Sequence, residues 1–230
     1  MLEELKQRVC EANLTLAAGG LVFRTSGNVS GVDRDTGLMV VKPTGVPYAQ
    51  MRPEQMAVVS LETGKLIEGP MAPSCDWPTH MVLYRRSKGI GGITYANSIY
   101  ATVWAQAKRD IPPLGTTHGD YFSGPVPCTR TMTDEEIEGD YEANMGEVII
   151  ERLSDISPLS LPGVLVASHG PFAWGETPAQ AVESATILEH IAKLASLSAD
   201  IDPYPRAVSR TLLEKHYRRK HGPDACCEQK

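Results

Sequence analysis

A stripe of apolar residues at helical spacing opens the chain and predicts a helix over residues 2–17. Short apolar runs bounded by turn residues follow, as at Asp33–Gly37 and Thr63–Gly64. These runs predict strands at 21–23, 29–32, 38–42, 56–61 and 65–68. The first part of the chain therefore carries most of a largely antiparallel sheet, with a hairpin between the second and third of these strands.

The remainder of the chain is more helical, with patterns at 79–87, 99–107 and 212–220. Two further helices are predicted to begin after Thr133 and Thr177, which open capping patterns with Glu and Gln three residues later. Buried strands are predicted at 92–97 and 163–168. No segment is long enough to be a linker, so we predict a single domain over residues 1–230.

Composition restricts the class of protein. With 230 residues, 42% of them hydrophobic and 22% charged, the chain is typical of soluble globular proteins. A net charge of −6 argues against non-specific nucleic-acid binding. No apolar run reaches the roughly 18 residues of a membrane span, and Met1–Lys6 has no apolar signal core. We therefore expect a cytoplasmic protein that binds neither nucleic acid nor membrane, with free thiols.

Three segments carry groups that suit a phosphate: Gly27-Asn28, Lys42–Gly45 and Pro73–Asp76. Glycine turns expose backbone N–H groups, and these segments add hydroxyl, carboxamide and ammonium donors. Each segment alone is also compatible with an ordinary turn. Together they form a candidate site for a small phosphorylated molecule.

Sequence motifs along nearly the whole chain resemble those of the L-ribulose-5-phosphate 4-epimerases in the class II aldolase and sugar-phosphate epimerase family. They include Glu11-Ala12-Asn13, Gly170–Gly175 and Lys215-His216-Tyr217. The resemblance implies an α/β fold of the α+β type, the class II aldolase fold, with a central, mainly antiparallel sheet flanked by helices. It also implies a homotetramer with active sites at the subunit boundaries.

The family's phosphate pocket is matched by the three segments named above. The resemblance assigns substrate binding to Gly27, Asn28, Lys42, Thr44, Gly45, Ser74 and Cys75. Thr44 and Cys75 stand where serine is usual, and a thiol is the poorer hydrogen-bond donor. The expected substrate is a phosphorylated sugar or a related carbonyl compound.

The family's zinc site is altered in this chain. The family binds zinc through a His-x-His pair and a later histidine, with an aspartate close by. Asp76 and His169 remain here, but Tyr95 and Asn97 occupy the places of the histidine pair. Both point to one face of the predicted strand. A carboxamide is a poor zinc ligand and a tyrosine must lose a proton of pKa near 10, so we expect no tightly bound zinc or other divalent metal.

The resemblance also assigns the proton-transfer groups. The expected acid or base is Asp120, which lies in a Thr116–Phe122 segment that matches the family. The resemblance places Glu142 and His216 near the substrate. In the tail, Cys227 takes the place of a family tyrosine acid. Tyr95 is a further candidate for chemistry that uses no metal.

These substitutions leave three functional hypotheses open. The chain is an epimerase- or aldolase-type enzyme with weak or altered activity on a sugar phosphate, acting by enolisation or retro-aldol chemistry. Alternatively, it is a metal-independent enzyme with a more aromatic pocket for a bulkier substrate. Thirdly, it is a non-catalytic protein that binds a sugar phosphate. The second hypothesis depends on joint replacements at Trp77, Tyr95, Asn97, Ile99, Tyr100 and Cys227.

Overall fold

The computed structural model describes residues 2–222 and Ala225. Its strands are β1 Asn28–Asp33, β2 Leu38–Val41, β3 Ala57–Ser60, β4 Leu66–Glu68, β5 Gly92–Tyr95, β6 Gly163–Val166 and β7 Gly170–Gly175. They form a 7-stranded sheet in the order β4-β3-β2-β1-β5-β7-β6. All neighbouring strands pair antiparallel, which confirms the predicted α/β fold with a central antiparallel sheet.

Helices cover both faces of the sheet. They are α1 Glu3–Ala18, α2 Trp77–Arg86, α3 Ile99–Gln106, α4 Thr116–Gly119, α5 Asp134–Glu138, α6 Tyr141–Arg152, α7 Pro178–Ile201 and α8 Arg210–His221, with short 3-10 turns at Tyr48–Gln50 and Pro53–Gln55. Helices α2 and α6 pack on one face, and α1, α3 and α7 on the other. Within the described chain, no helix has the length and apolar character needed to cross a membrane.

Strand β2 illustrates why both faces of the sheet are buried. Met39 and Val41 belong to the core cluster that includes Leu83 of α2. Val40, between them, packs against Val9 of α1 on the other side. Successive side chains of a strand point to opposite faces, so an apolar run in the sequence becomes two layers of core.

The predicted capping patterns lie at the starts of their helices. Thr133 accepts from the backbone N–H of Glu136, and the Glu136 carboxylate accepts from the Thr133 N–H at 2.8 Å. Thr177 accepts from the Gln180 N–H at 3.2 Å, but the Gln180 side chain turns to the N–H of Glu176 instead. Both predicted helix starts are confirmed, and the reciprocal bond is complete only at Thr133.

The start of α3 is capped by a distant residue. The Ser98 side chain makes no capping hydrogen bond. The Glu189 carboxylate of α7 instead accepts from the N–H groups of Tyr100 and Ala101, at 3.0 and 2.9 Å. A carboxylate at a helix N-terminus also interacts favourably with the helix dipole. This contact fixes α3, and with it the loop that carries Asn97, against the long helix.

Three features of the fold differ from the sequence prediction. The strand expected at 21–23 is wrong, because that segment belongs to no strand. The Leu21 carbonyl accepts from the N–H of Asn97, and other backbone groups of the segment bond to Leu16 and Ser26. Helix α6 and strand β7 were not predicted. Strand β7 begins with Gly170-Pro171 and ends with Gly175, which are residues typical of turns, although it pairs with β5 on one side and β6 on the other.

Asn13 joins helix α1 to the central strand β1. It is fully buried, and its Nδ2 donates to the carbonyls of Val9 and Val29 at 2.8 and 3.1 Å. Its Oδ1 accepts from the N–H of Val29 at 2.8 Å. The side chain thus satisfies both backbone groups of a buried strand residue.

We expect Asn13→Ala to lower the free energy of unfolding by about 2–3 kcal/mol, because buried backbone groups of Val29 lose their partner. Urea unfolding at fixed protein concentration measures this. The matched control is Gln7→Ala, which removes an exposed carboxamide from the same helix and should change stability by less than about 0.5 kcal/mol. Equal effects of the two substitutions would contradict the assigned role of Asn13.

Candidate functional site

The register of three central strands places the principal side chains of the site side by side. Asn28 of β1 pairs with Tyr95 of β5, and Tyr95 pairs with Phe172 of β7. Paired residues of antiparallel strands project to the same face. The Tyr95 ring stacks on Phe172 at 5.0 Å and on His169 at 4.7 Å between ring centroids.

Tyr95 and Asn97 lie on the same side of the chain, as their spacing predicts. Nδ2 of Asn97 donates a hydrogen bond to the phenol oxygen of Tyr95 at 2.9 Å. Strand β5 ends at Tyr95, so Asn97 stands in the loop before α3. Burial, followed by the negative charge of Asp76, raises the pKa of Tyr95 to about 12. The phenol is therefore neutral at physiological pH.

Asp76 immediately precedes α2 and points towards β1. Its Oδ2 accepts from Nδ2 of Asn28 at 2.6 Å. Burial raises the pKa of the Asp76 carboxyl to about 6, and the charge of Glu142 adds to the increase. The hydrogen bond from Asn28 and the charge of Lys42 oppose it. Asn28, Lys42, Asp76 and Glu142 therefore share one electrostatic environment.

Lys42, at the end of β2, is 1% exposed. Its Nζ donates to the carbonyls of Thr25 and Pro43 at 3.1 and 3.3 Å and lies 5.0 Å from the centroid of the Tyr48 ring. Burial lowers the pKa of Lys42, and the charge of Asp76 opposes that change. Two of the three donors of the ammonium group are thus used by backbone carbonyls.

The segments predicted to bind phosphate are adjacent in space. The N–H of Thr44 donates to the Ala72 carbonyl, and the N–H of Ser74 donates to the Lys42 carbonyl, both at 2.9 Å. Cys75 is an exposed free thiol next to this pairing.

The glycines of these segments have left-handed backbones, with φ of 81° at Gly27 and 69° at Gly45. A Cβ at Gly27 would lie 2.7 Å from the Val22 side chain, whereas a Cβ at Gly45 would meet no atom within 4 Å. The loop at Gly45 therefore leaves room for a ligand, and glycine is required at Gly27 for both space and conformation.

His169 follows β6 after Ser168, whose φ is 65°. Its Nε2 is buried without a hydrogen-bond partner, and burial lowers the pKa of the imidazole to about 4. The imidazole is therefore neutral at physiological pH. Tyr141 at the start of α6 packs against its ring edge at 6.5 Å.

These residues do not fit the zinc site that the resemblance implies. Within residues 2–222, no group of three or more His, Cys, Asp or Glu side chains is placed to hold a metal ion. The resemblance gives Asp76 and His169 as the retained ligands, and Asp76 is hydrogen-bonded to Asn28. The neutral Tyr95 ring stacks on His169, and its oxygen accepts a hydrogen bond from Asn97. Catalytic zinc needs three protein ligands and an open position, and this set does not supply them.

Asp120 belongs to a second group of side chains, between α4 and α8. Its Oδ1 lies 2.9 Å from Nδ1 of His216, and its carboxylate accepts from the Arg219 guanidinium at 3.2 and 3.3 Å. Thr116 is exposed at the start of α4. No hydrogen bond or ion pair within the described residues joins this group to Asp76, so the structure brings the predicted site residues together as two separate groups.

The other predicted residues near the substrate are distributed between these groups and the core. Glu142 is half-buried on α6, and its backbone carbonyl accepts from Oγ1 of Thr79 at 2.6 Å. His118 is buried, with Nε2 2.7 Å from the Gly124 carbonyl oxygen. Cys227 lies outside the described residues.

The side chains of the predicted aromatic pocket are distributed over several parts of the structure. The Trp77 ring packs over the turn at Gly64, where a Cβ would lie 3.3 Å from it. Ile99 is 70% exposed, and Tyr100 packs beside Lys193 of α7. Within the described residues, Trp77 packs against the core cluster that contains Tyr95, whereas Tyr100 packs against the cluster formed by α3 and α7.

Sequence reasoning missed three contributors to the site: Tyr48, Tyr141 and Phe172. Phe172 lies in the Gly170–Gly175 motif, and its position in an apolar run could have marked it as a core residue. Tyr48 donates to the carbonyls of Ser26 and Gly27 at 3.0 and 2.8 Å. Nothing in the local sequence signals the positions of Tyr48 and Tyr141.

Comparison with known proteins agrees with this fold. The family described as Class II Aldolase and Adducin N-terminal domain matches residues 7–196. The chain is 48% identical over 229 residues to the L-ribulose-5-phosphate 4-epimerase UlaF of Salmonella paratyphi C (strain RKS4594), with all of both chains covered.

Solved structures share the fold. An L-fuculose 1-phosphate aldolase superposes with a TM-score of 0.77 at 23% identity, covering 92% of this chain and 95% of that one. YgbL from Escherichia coli superposes with a TM-score of 0.74 at 21% identity, covering 93% and 97%. Together with the family match and the full-length similarity, the fold shows that this chain belongs to the class II aldolase and adducin N-terminal domain family.

Proposed function

We propose that this chain binds a phosphorylated sugar and catalyses L-ribulose-5-phosphate 4-epimerase chemistry only weakly or in altered form. The full-length similarity to an epimerase supports the substrate class. The departures at Tyr95 and Asn97 support the loss of rate. Stabilising an enediolate needs positive charge or strong donors, and each 1.4 kcal/mol lost from the transition state costs about tenfold in rate.

The buried ammonium group of Lys42 is the observation that supports a phosphate-binding site. Its ammonium group is buried, and within the described residues no carboxylate lies in hydrogen-bonding distance of Nζ. A buried charge is unfavourable unless an opposite charge compensates it. A phosphate group beside Nζ, with the turns at Gly27 and Gly45, would supply that compensation.

The separate group around Asp120 fits a role in a neighbouring subunit's site. The resemblance implies a cytoplasmic homotetramer with sites at its subunit boundaries. We extend the proposal to that assembly, with Asp120 as the acid or base and His216 holding its carboxylate. Thr116 and Glu142 complete the proposed set of active-site residues. Turnover of the sugar phosphate distinguishes this enzyme from a protein that only binds it.

We expect Lys42→Met to weaken binding of L-ribulose 5-phosphate by about 10- to 100-fold, because a charge-assisted hydrogen bond contributes about 1.5–3 kcal/mol. Isothermal titration calorimetry measures the change. The control is Lys65→Met, which removes an exposed lysine and should leave affinity within twofold. Unchanged affinity in Lys42→Met would remove the basis for the proposed phosphate site.

A second test restores the histidine pair. We expect the double substitution Tyr95→His with Asn97→His to raise the zinc content to about one ion per chain, because four side chains of suitable type then surround one position. Its epimerase turnover should exceed that of the natural sequence at least tenfold. Elemental analysis after dialysis and an epimerase assay measure both quantities.

The matched control for this test is Tyr95→Phe with Asn97→Leu, which should remain without zinc. If the natural sequence itself retained about one zinc per chain, and His169→Ala removed it, the proposed loss of the metal site would be wrong.

The raised pKa of Asp76 predicts a pH-dependent stability. Its folded-state pKa of about 6 exceeds the ordinary value of 3.8. The neutral carboxyl therefore stabilises the fold below pH 3.8, and this contribution is lost as the pH rises to 6. We expect the free energy of unfolding of Asp76→Asn to exceed that of the natural sequence by about 2–3 kcal/mol at pH 8. At pH 4 the difference should be less than about 1 kcal/mol.

Urea unfolding at the two pH values measures this difference. Asp35→Asn, which changes an exposed turn aspartate, is the control and should show almost no pH-dependent difference from the natural sequence. A stability advantage of Asp76→Asn that did not grow between pH 4 and pH 8 would contradict the assigned burial of the charge.

A further inference from the structure

Three buried polar atoms surround Tyr95 without a hydrogen-bond partner in the described chain. They are Oδ1 of Asn28, Oδ1 of Asn97 and Nε2 of His169. All three residues are neighbours of Tyr95. Asn28 faces it across the β1–β5 pair, Asn97 donates to its phenol oxygen, and His169 stacks on its ring.

The identity of the free atoms indicates which groups a ligand must bring. One amide N–H of Asn28 donates to Asp76, and one amide N–H of Asn97 donates to Tyr95. Their carbonyl oxygens can only accept, and Nε2 of His169 accepts when its proton is on Nδ1. Buried polar groups are almost always hydrogen-bonded, so these three atoms call for a ligand that carries several O–H donors.

Tyr95 adds the complementary group. Its oxygen accepts from Asn97, and its own O–H has no acceptor among the described residues. The pair therefore presents a donor on Tyr95 next to an acceptor on Asn97, without net charge. Adjacent hydroxyl groups, or a hydroxyl beside a carbonyl, match this arrangement, and a tightly bound cation does not.

We propose that Tyr95 and Asn97, with His169, form a neutral hydrogen-bonding site for the hydroxyl-bearing carbons of a sugar phosphate. This inference rests on the proposed function, because the Lys42 pocket holds the phosphate end. The Tyr95–Asn97 pair stands where the family has metal ligands and binds the sugar directly. Affinity for the sugar portion is then independent of metal and requires hydroxyl groups but no carbonyl.

A pentitol 5-phosphate is the probe that tests whether binding needs hydroxyl groups but neither a carbonyl nor a metal. It has the hydroxyl groups and the phosphate of a pentulose phosphate but no carbonyl, so it cannot be epimerised. Calorimetric titration of the full chain, treated with EDTA and dialysed, compares it with inorganic phosphate. We expect the pentitol phosphate to bind at least about tenfold more tightly, with the same affinity in EDTA and in added zinc.

Variants test the assigned atoms. Asn97→Ala should weaken binding of the pentitol phosphate about five- to tenfold, and Tyr95→Phe about threefold or more. Both should leave affinity for inorganic phosphate within twofold, as should the control Gln7→Ala for both ligands. If Asn97→Ala does not fold, Asn97→Leu keeps the volume and removes both amide groups, and the same loss is expected.

The outcomes are distinct. Binding of inorganic phosphate with no gain from the pentitol would overturn the inference and leave the proposed phosphate site intact. Binding of neither ligand would overturn both. An affinity for the pentitol phosphate that EDTA abolished and zinc restored would show that a metal, not the Tyr95–Asn97 pair, holds the sugar.

Discussion

The antiparallel pairing of β1 with β5 is the interaction on which the rest of the structure depends. It joins the four strands built by the first part of the chain to the three built by the second. Its register sets Asn28 beside Tyr95, and the next pair sets Tyr95 beside Phe172. A slip of one residue would turn these side chains to the opposite face of the sheet. The candidate site therefore exists only while this register holds.

Polar contacts within an otherwise apolar interface fix helix α2 along strand β1. Oγ of Ser30 lies 2.7 Å from Nδ1 of His80 and 2.9 Å from the hydroxyl of Tyr84. Asp76, His80 and Tyr84 follow one another at four-residue spacing, so one stripe of the helix meets β1. Burial lowers the pKa of His80 to about 3, so these contacts join neutral groups. The position of the Asp76 carboxylate thus depends on the packing of the whole helix.

Local patterns predicted most of the fold because they act over a few residues. The helix at 2–17, the hairpin and the Thr133 capping box need only helical spacing, turn residues and neighbouring donors. The segment 21–23 failed because an apolar run becomes a strand only when another strand pairs with it. Strand β7 was missed for the opposite reason, since pairing on both sides stabilises a run that begins with Gly170-Pro171.

The sequence by itself determined which chemical groups are available: a lysine between glycine turns, a retained aspartate and histidine, and tyrosine with asparagine in place of a histidine pair. Only the tertiary structure decided which of these groups meet. It placed Lys42, Asp76, Tyr95 and His169 around one strand pair, and set Asp120 apart with α8. It also left acceptor atoms unpaired beside Tyr95. Residue type fixes what a side chain can do, whereas burial and partners far along the chain fix its charge and its free hydrogen-bonding atoms.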